Sequence, residues 1–158
     1  PWTAQMPIAA ALRHAVSIDE RRRPFNANLL SRDPETRANE AFREVWFAGV
    51  HSDVGGTFDP DHRLADIALE WIVAGAIEND LIVNPRAFQE YVDQPATNAE
   101  GEIHDMGWKW WLTTVFHHRA IVPDDAAIHD SVRVRMERLD YQPPLPPDVT
   151  WEPWAHQP

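Results

Sequence analysis

One stretch decides the fold: Glu44-Val45-Trp46-Phe47-Ala48-Gly49-Val50-His51-Ser52-Asp53-Val54-Gly55-Gly56. Its apolar run, Val45 to Val50, is typical of a strand buried on both faces of a parallel sheet. The run is too short for an ordinary helix, so a strand is favoured. Polar residues and two glycines follow at once, and an apolar stripe with helical spacing begins at Leu64. The pattern therefore predicts strand, polar glycine-rich loop and helix, which is a unit of the α/β class.

The end of this strand is where chemistry is expected. In open α/β sheets, ligands and catalytic groups collect beyond the carboxyl ends of the strands. His51 and Asp53 occupy that position and are the candidate catalytic residues. Ser52, Gly55 and Gly56 are expected to shape the loop or to contact a substrate.

Composition excludes several classes of function. A chain of 158 residues that is 44% hydrophobic can bury an ordinary core as one domain. A formal net charge of −11 argues against a nucleic-acid partner, because phosphates require a basic face. The absence of cysteine excludes disulfides, thiolate zinc sites and cysteine nucleophiles.

The two ends of the sequence bear on its context. No apolar run approaches the roughly 18 residues of a membrane span, and no signal peptide is recognisable at the start. The chain begins at Pro1 and ends in a segment rich in proline and tryptophan, so it is expected to be a piece of a longer protein. We expect a catalytic-domain portion over residues 1–140 and a tail or linker over residues 141–158.

Apolar spacing predicts helices in four places. They are a short one over Pro7 to Val16, a long one over Leu64 to Gly75, one that starts at Pro85 after Asn84, and one that places Val132, Met136 and Leu139 on a shared face. The carboxyl-terminal part is thus expected to be mostly helical and irregular.

A dense charge cluster, Ser17 to Phe25, precedes the central strand. Charge runs usually form solvated turns, and this interpretation is favoured from composition. The alternative is that its arginines pair with Asp19 and Glu20 and fix the loop near the rim of an active site.

Other polar and aromatic clusters suit ordinary structural roles better than functional ones. Asp59, Asp61 and His62 could ligate a cation, but turns and a helix cap explain them better, and no metal is predicted. The adjacent pair His117-His118 seldom chelates, because neighbouring side chains point to different sides. The aromatic segment Trp108 to Leu112 fits a core edge better than contact with a membrane surface, which stays the alternative.

A histidine after a buried strand is where α/β-hydrolases carry their general base, which must reach a nucleophile. No G-x-S-x-G occurs, and none of the four serines, Ser17, Ser31, Ser52 and Ser131, has the context of a nucleophile elbow. From the residues alone, a catalytic His51 and a structural loop histidine are equally compatible. If His51 is a base, the nucleophile and the acid are expected upstream of Pro1.

A family resemblance enters at these residues. The run Val45 to Gly56, followed by Leu64 to Trp71, resembles the signature of an α/β-hydrolase family that includes the type VI secretion phospholipase effectors. The segment His14 to Phe25 resembles a motif of the same family. The chain differs from that family's usual glycine and tyrosine at Thr57 and Phe58.

The resemblance implies a serine-type ester hydrolase without a cofactor, acting on a lipid or small ester. His51 matches the family's base, and Asp53 either orients the loop, which is preferred, or is itself the acid. It also implies a protein that is cytoplasmic in the producing bacterium and secreted without a signal peptide. Two alternatives stay open: a non-catalytic α/β interaction module or degenerate remnant, and a metal-dependent hydrolase using His51, Asp53, Asp59 and Asp61.

Overall fold

A computed structural model describes residues 8–22, 27–30, 34–92, 96–104 and 121–154. Its strands are β1 (Leu12–Ser17), β2 (Phe42–Phe47), β3 (Ala127–His129) and β4 (Thr150–Glu152). Its α-helices are α1 (Pro34–Ala38), α2 (His51–Gly55), α3 (Arg63–Glu78), α4 (Pro85–Tyr91) and α5 (Asp130–Arg138), and a 3-10 helix covers Ala96–Glu100.

The four strands form a parallel sheet in the order β1-β2-β3-β4. Six residue pairs join β1 to β2, from Leu12 opposite Phe42 to Ser17 opposite Phe47. Because every pairing is parallel, the carboxyl ends of the strands meet at one edge of the sheet. The predicted α/β class is confirmed.

The sheet has a core on each face. Val16, Trp46 and Ile128 pack on one side, with Val132 of α5. Val45 and Phe47 face the other side and pack against Ile67 and Trp71 of α3. All of these side chains are almost fully buried, so β2 is covered on both faces as its apolar run predicts. The long helix predicted from Leu64 is also confirmed.

Two element boundaries differ from the predictions. The helix predicted over Pro7 to Val16 is wrong, because Leu12–Ser17 form β1. Pairing with β2 at each of these positions outweighs the local helical spacing. The strand predicted over Val45 to Val50 lies three residues earlier, at Phe42–Phe47. It ends there because the chain bends at Ala48 and Gly49, and the φ of Gly49 is 109°.

The last part of the chain adds two strands that apolar spacing does not reveal. β3 and β4 have only three residues each, too few for a recognisable alternation. In the region treated as a tail, the Tyr141 hydroxyl donates to Asp19 over 2.7 Å, and Trp154 Nε1 donates to Glu70 over 3.0 Å. The described part of the tail, up to residue 154, therefore packs on the same sheet.

Some predicted features lie outside the described residues. These are the aromatic segment Trp108 to Leu112 and the pair His117-His118. Among the residues that are described, no helix is both long and apolar enough to cross a membrane. The helix predicted after Asn84 is confirmed as α4, with Pro85 in its first turn and the Asn84 side chain accepting from Arg86 N over 3.0 Å.

Candidate active site

The segments that follow β1 and β2 are hydrogen-bonded to each other. Asp19 N donates to the Gly49 carbonyl over 3.0 Å, and Gly49 N donates to Asp19 Oδ2 over 2.9 Å. Glu20 follows Asp19 along one segment. Val50 and His51 follow Gly49 along the other, and the two segments run in the same direction. Two neighbouring parallel strands thus bring a carboxylate and an imidazole to one edge of the sheet.

Glu20 and His51 are in direct contact there. Glu20 Oε2 lies 2.5 Å from His51 Nδ1 and 3.3 Å from the His51 backbone nitrogen. An ionised carboxylate can only accept, so Nδ1 carries the ring hydrogen and donates it. Nε2 is then the unprotonated nitrogen, and the Ser52 hydroxyl lies 3.1 Å from it. An imidazole in this tautomer can take a proton on Nε2.

The Glu20 carboxylate has hydrogen-bond partners on both oxygens. Oε1 accepts from the backbone nitrogens of Arg21 and Arg22 at 3.0 and 2.9 Å, and from Arg22 Nε at 2.9 Å. Oε2 accepts from Arg22 Nη2 at 2.8 Å as well as from His51. Burial opposes ionisation, but the hydrogen bonds from Arg22 and His51 outweigh it and lower the pKa of Glu20 to about 2. The carboxylate is therefore charged at neutral pH.

The charge cluster before β2 is not a solvated turn at its centre. Asp19, Glu20 and Arg22 are 8%, 6% and 4% exposed, whereas Arg21 is exposed. The alternative prediction, an arginine paired with the acidic residues beside the site, holds for Arg22 and Glu20. The end of the cluster, from Arg23 to Phe25, lies outside the described residues.

Asp53 has a different set of partners. Its Oδ2 accepts from Val50 N over 2.9 Å, and its Oδ1 lies 2.6 Å from His104 Nδ1. The predicted glycine-rich loop is instead the short helix α2, which begins at His51 and which Asp53 stabilises by accepting from Val50 N in front of it. Glu20 supplies the carboxylate that contacts the His51 ring. Asp53 instead joins α2 to the segment that ends at His104.

The three glycines around α2 differ in what they permit. Gly56 has a φ of 79° and ends α2 in the left-handed region. At Gly49, an added Cβ would lie 2.5 Å from the Asp53 Cβ. At Gly55, an added Cβ would meet open space. Gly49 and Gly56 thus give the site its backbone geometry.

His51 opens onto a cleft of about 690 Å³ between the end of β1, α2 and α3. The His51 side chain is 39% exposed, while that of Glu20 is 5% exposed. The cleft wall is mostly apolar, and its lining includes Val54, Phe58, Ala65, Ala68, Leu69 and Ile72. The imidazole is therefore reachable from solvent, and its partner carboxylate is shielded.

The residues proposed for a metal site are not brought together. His51 contacts Glu20, Asp53 contacts His104, and Asp61 contacts Arg63 Nη2 at 2.6 Å. In the described ranges, no group of three or more histidine, aspartate or glutamate side chains could hold a metal ion. The hydrogen bond that the His62 ring donates to Asp66 raises the pKa of His62, so that histidine is more cationic than usual.

The contact of Glu20 with the His51 ring and the position of His104 are the features of the site that reasoning from single residues does not predict. The acid was expected upstream of Pro1, yet the carboxylate on His51 comes from within the chain. Glu20 lies in the segment that carries the family resemblance, which was the available signal. His104 had none, because its place beside Asp53 and its stacking on Phe58, with ring centroids 4.0 Å apart, depend on tertiary structure.

A parallel sheet with a buried carboxylate on a solvent-accessible imidazole, beside an apolar cleft, defines an α/β protein with a candidate general base. Residues 1–75 match the family model described as type VI secretion system, phospholipase effector Tle1-like, catalytic domain. This match, over the amino-terminal 75 residues, confirms the family resemblance.

One curated relative matches a shorter region. The chain is 40% identical over 52 residues to uncharacterized protein YEL023C of Saccharomyces cerevisiae, which covers 30% of this chain and 8% of that protein. The chain thus spans a small part of the relative's length. No solved structure matches the chain significantly.

Proposed function

We propose that this chain forms part of a serine-type carboxylic ester hydrolase with a phospholipase-like activity. His51 is the general base, Glu20 is the acid that orients it, and the nucleophilic serine comes from a segment upstream of Pro1. The observation that carries the proposal is the 2.5 Å contact between Glu20 Oε2 and His51 Nδ1 at the carboxyl ends of adjacent parallel strands. This is the relation that an α/β-hydrolase fold gives to its acid and base.

The chemistry follows from the tautomer. Nε2 takes the proton of the serine hydroxyl as the serine oxygen attacks the ester carbonyl carbon. Glu20 stabilises the imidazolium that forms, and the imidazolium then gives its proton to the leaving alcohol. Water hydrolyses the acyl-enzyme by the same route, with Nε2 again accepting a proton. Glu20 keeps Nδ1 protonated throughout, so the reacting nitrogen is always Nε2.

The cleft supports a substrate with an apolar part. Val54, Leu69 and Ile72 line it on the side of α2 and α3, and His51 lies at its polar end. An acyl chain on this wall would place its ester toward the imidazole. The phospholipase description of the matched family agrees with such a substrate.

The chain provides a matched pair of histidines for the test. His14 Nδ1 contacts Glu44 Oε2 at 3.0 Å across the same two strands, but His14 does not line the cleft. In the full-length protein, His51→Gln and Glu20→Gln should lower kcat on phosphatidylethanolamine vesicles by about 10³- to 10⁴-fold. His14→Gln should retain the wild-type rate.

Two results would contradict the proposal. One is wild-type turnover by His51→Gln in protein whose circular dichroism is unchanged. The other is a fluorophosphonate probe that labels no serine of the full-length protein, because a serine nucleophile activated by His51 must react with it. Loss of labelling in His51→Gln, with labelling kept in His14→Gln, would support the assignment of the base.

A further inference from the structure

The structure contains a buried arginine that touches both members of the Glu20–His51 pair. Arg22 donates two side-chain hydrogen bonds to Glu20, from Nε to Oε1 at 2.9 Å and from Nη2 to Oε2 at 2.8 Å. The same Nη2 lies 3.0 Å from His51 Nδ1. A fork of this kind fixes the plane of the carboxylate as well as its position.

Burial makes this arrangement costly. The side chains of Arg22 and Glu20 are 4% and 5% exposed. Desolvation of two charges largely offsets their attraction, so a buried ion pair is a poor source of stability compared with apolar packing. A role in stability alone is therefore a weak explanation for a guanidinium at this point.

We propose that Arg22 is a positioning residue for the reaction, which holds Glu20 against the His51 ring and keeps a permanent positive charge beside it. This inference rests on the proposed function and adds Arg22 as a residue that sets the pH range of the activity. Arginine does not lose its proton in proteins. Its charge opposes that of an imidazolium, so loss of Arg22 should favour the protonated ring, which cannot act as a base.

Other charged groups lie on the elements around the ring. On α2, the acidic residue is Asp53, and it is paired with His104. At the start of α3, its N-cap residue His62 and Asp66 line the same cleft and pair with each other. Both pairs combine a histidine with a carboxylate. Arg22 thus differs from them in carrying a charge that no accessible pH removes.

The test uses two substitutions at Arg22 and one at its neighbour, in the full-length protein. Arg22→Met removes the charge and the fork, whereas Arg22→Lys keeps a charge and loses the fork. Arg21→Met is the matched control, because the Arg21 side chain is exposed and only its backbone nitrogen contacts Glu20. The profile of kcat/KM on a soluble ester is measured from pH 4 to 9.

Each substitution has a distinct expected profile. Arg22→Met should move the acid limb of the profile upward by about one pH unit, in addition to a lower plateau. Arg22→Lys should lower the plateau and leave the acid limb close to that of the wild type. Arg21→Met should change neither. A plateau lowered by the same factor at every pH in Arg22→Met would show a merely structural role and overturn the proposal.

A second measurement does not depend on turnover. The ring signals of His51, assigned by comparison with His51→Gln, are followed by NMR in histidine-labelled protein as pH varies. In Arg22→Met the ring should change its protonation state at higher pH than in the wild type. An unchanged titration would overturn the inference about Arg22, whereas inactivity of the wild type on esters would count against the proposed function only.

If Arg22→Met does not fold, the double variant Glu20→Gln/Arg22→Met removes both buried charges together. On the plateau of the pH profile, Arg22 acts through Glu20, so the double variant should have a plateau rate close to that of Glu20→Gln alone. A further loss as large as the one that Glu20→Gln causes would show that Arg22 works independently of Glu20, contrary to the proposal.

Discussion

Trp71 donates its indole N–H to Glu152 Oε1 over 2.8 Å and so joins the middle of α3 to the last strand of the sheet. Glu152 also pairs with Arg43 of β2, and its side chain is 10% exposed. One carboxylate thus connects three elements that are far apart in sequence. This side chain thus adds polar links between β4 and the rest of the described fold to the pairing of β4 with β3.

Replacement of Glu152 should destabilise the protein markedly. Glu152→Leu leaves the Trp71 N–H and the Arg43 charge without their acceptor, and an unsatisfied buried group costs about 1–3 kcal/mol. We expect the free energy of unfolding, from urea titration, to fall by about 2–3 kcal/mol. Glu78→Leu is the control: Glu78 pairs with Arg13 but is 61% exposed, and an exposed pair contributes less than about 1 kcal/mol. Equal losses in the two variants would contradict this account.

Stability should fall in acid because of His129. This side chain is 1% exposed, stacks on Phe47 with ring centroids 4.7 Å apart, and accepts from Ser131 N at 3.2 Å through Nδ1. Burial lowers the pKa of His129 to about 3, from an unfolded value near 6.5. Below the unfolded value, the unfolded state binds a proton that the native state excludes. The contribution is therefore complete above about pH 6.5 and is lost as pH falls toward 3.

The size of the effect is measurable. Each pH unit in this window should remove at most about 1.4 kcal/mol from the free energy of unfolding. His129→Asn keeps an acceptor near Nδ1 without a titratable group, so it should flatten the dependence between pH 4 and 6.5. His62→Gln should not flatten it, because the pKa of His62 is raised and its contribution is lost as pH increases. The same acid slope in wild type and His129→Asn would rule out this explanation.

Adjacent glycines should respond oppositely to alanine. Gly56 has a φ of 79°, where an L-residue costs about 1–2 kcal/mol, so Gly56→Ala should destabilise by that amount. Gly55 belongs to α2, and an added Cβ meets open space, so Gly55→Ala should be neutral or stabilise by up to about 1 kcal/mol. Thermal unfolding of the two variants is the measurement. A Gly55→Ala variant as unstable as Gly56→Ala would contradict the geometry described for α2.

Ser52 should be dispensable for the chemical step. Its hydroxyl lies 3.1 Å from His51 Nε2, where it can donate a hydrogen bond to the unprotonated ring nitrogen. Loss of one such hydrogen bond is worth about 0.5–1.5 kcal/mol, so Ser52→Ala should retain turnover within about tenfold of the wild type. Fluorophosphonate labelling should persist in Ser52→Ala. Complete loss of both would make Ser52 the nucleophile and displace the proposed upstream serine.

Local pattern was sufficient for the elements that bury a continuous apolar surface. The run through Trp46 and Phe47 marked β2 as a strand, and the stripe from Leu64 to Trp71 marked α3. β1 could not be recognised in the same way, because its conformation depends on pairing with residues about 30 positions later. The three-residue strands β3 and β4 are too short to show a recognisable alternation of apolar and polar residues.

The candidate site was predictable in part for a related reason. The position of His51 beyond the central strand followed from the order of strand and polar residues. That Glu20 and not Asp19 faces the ring did not follow from the sequence, because it depends on the two hydrogen bonds between Asp19 and Gly49. The same bonds direct Asp19 toward Gly49 N and leave Glu20 to the imidazole. Tertiary geometry, which sequence spacing does not encode, made that choice.

The position of β1 at the end of the strand order has a practical consequence. In the part of the chain that is described, β2 pairs with one side of β1, and no strand pairs with the other. Backbone amides on such a side recruit strands from other molecules. That side of β1 is therefore a place where a further strand, from another segment of the protein or from another molecule, can add to the sheet.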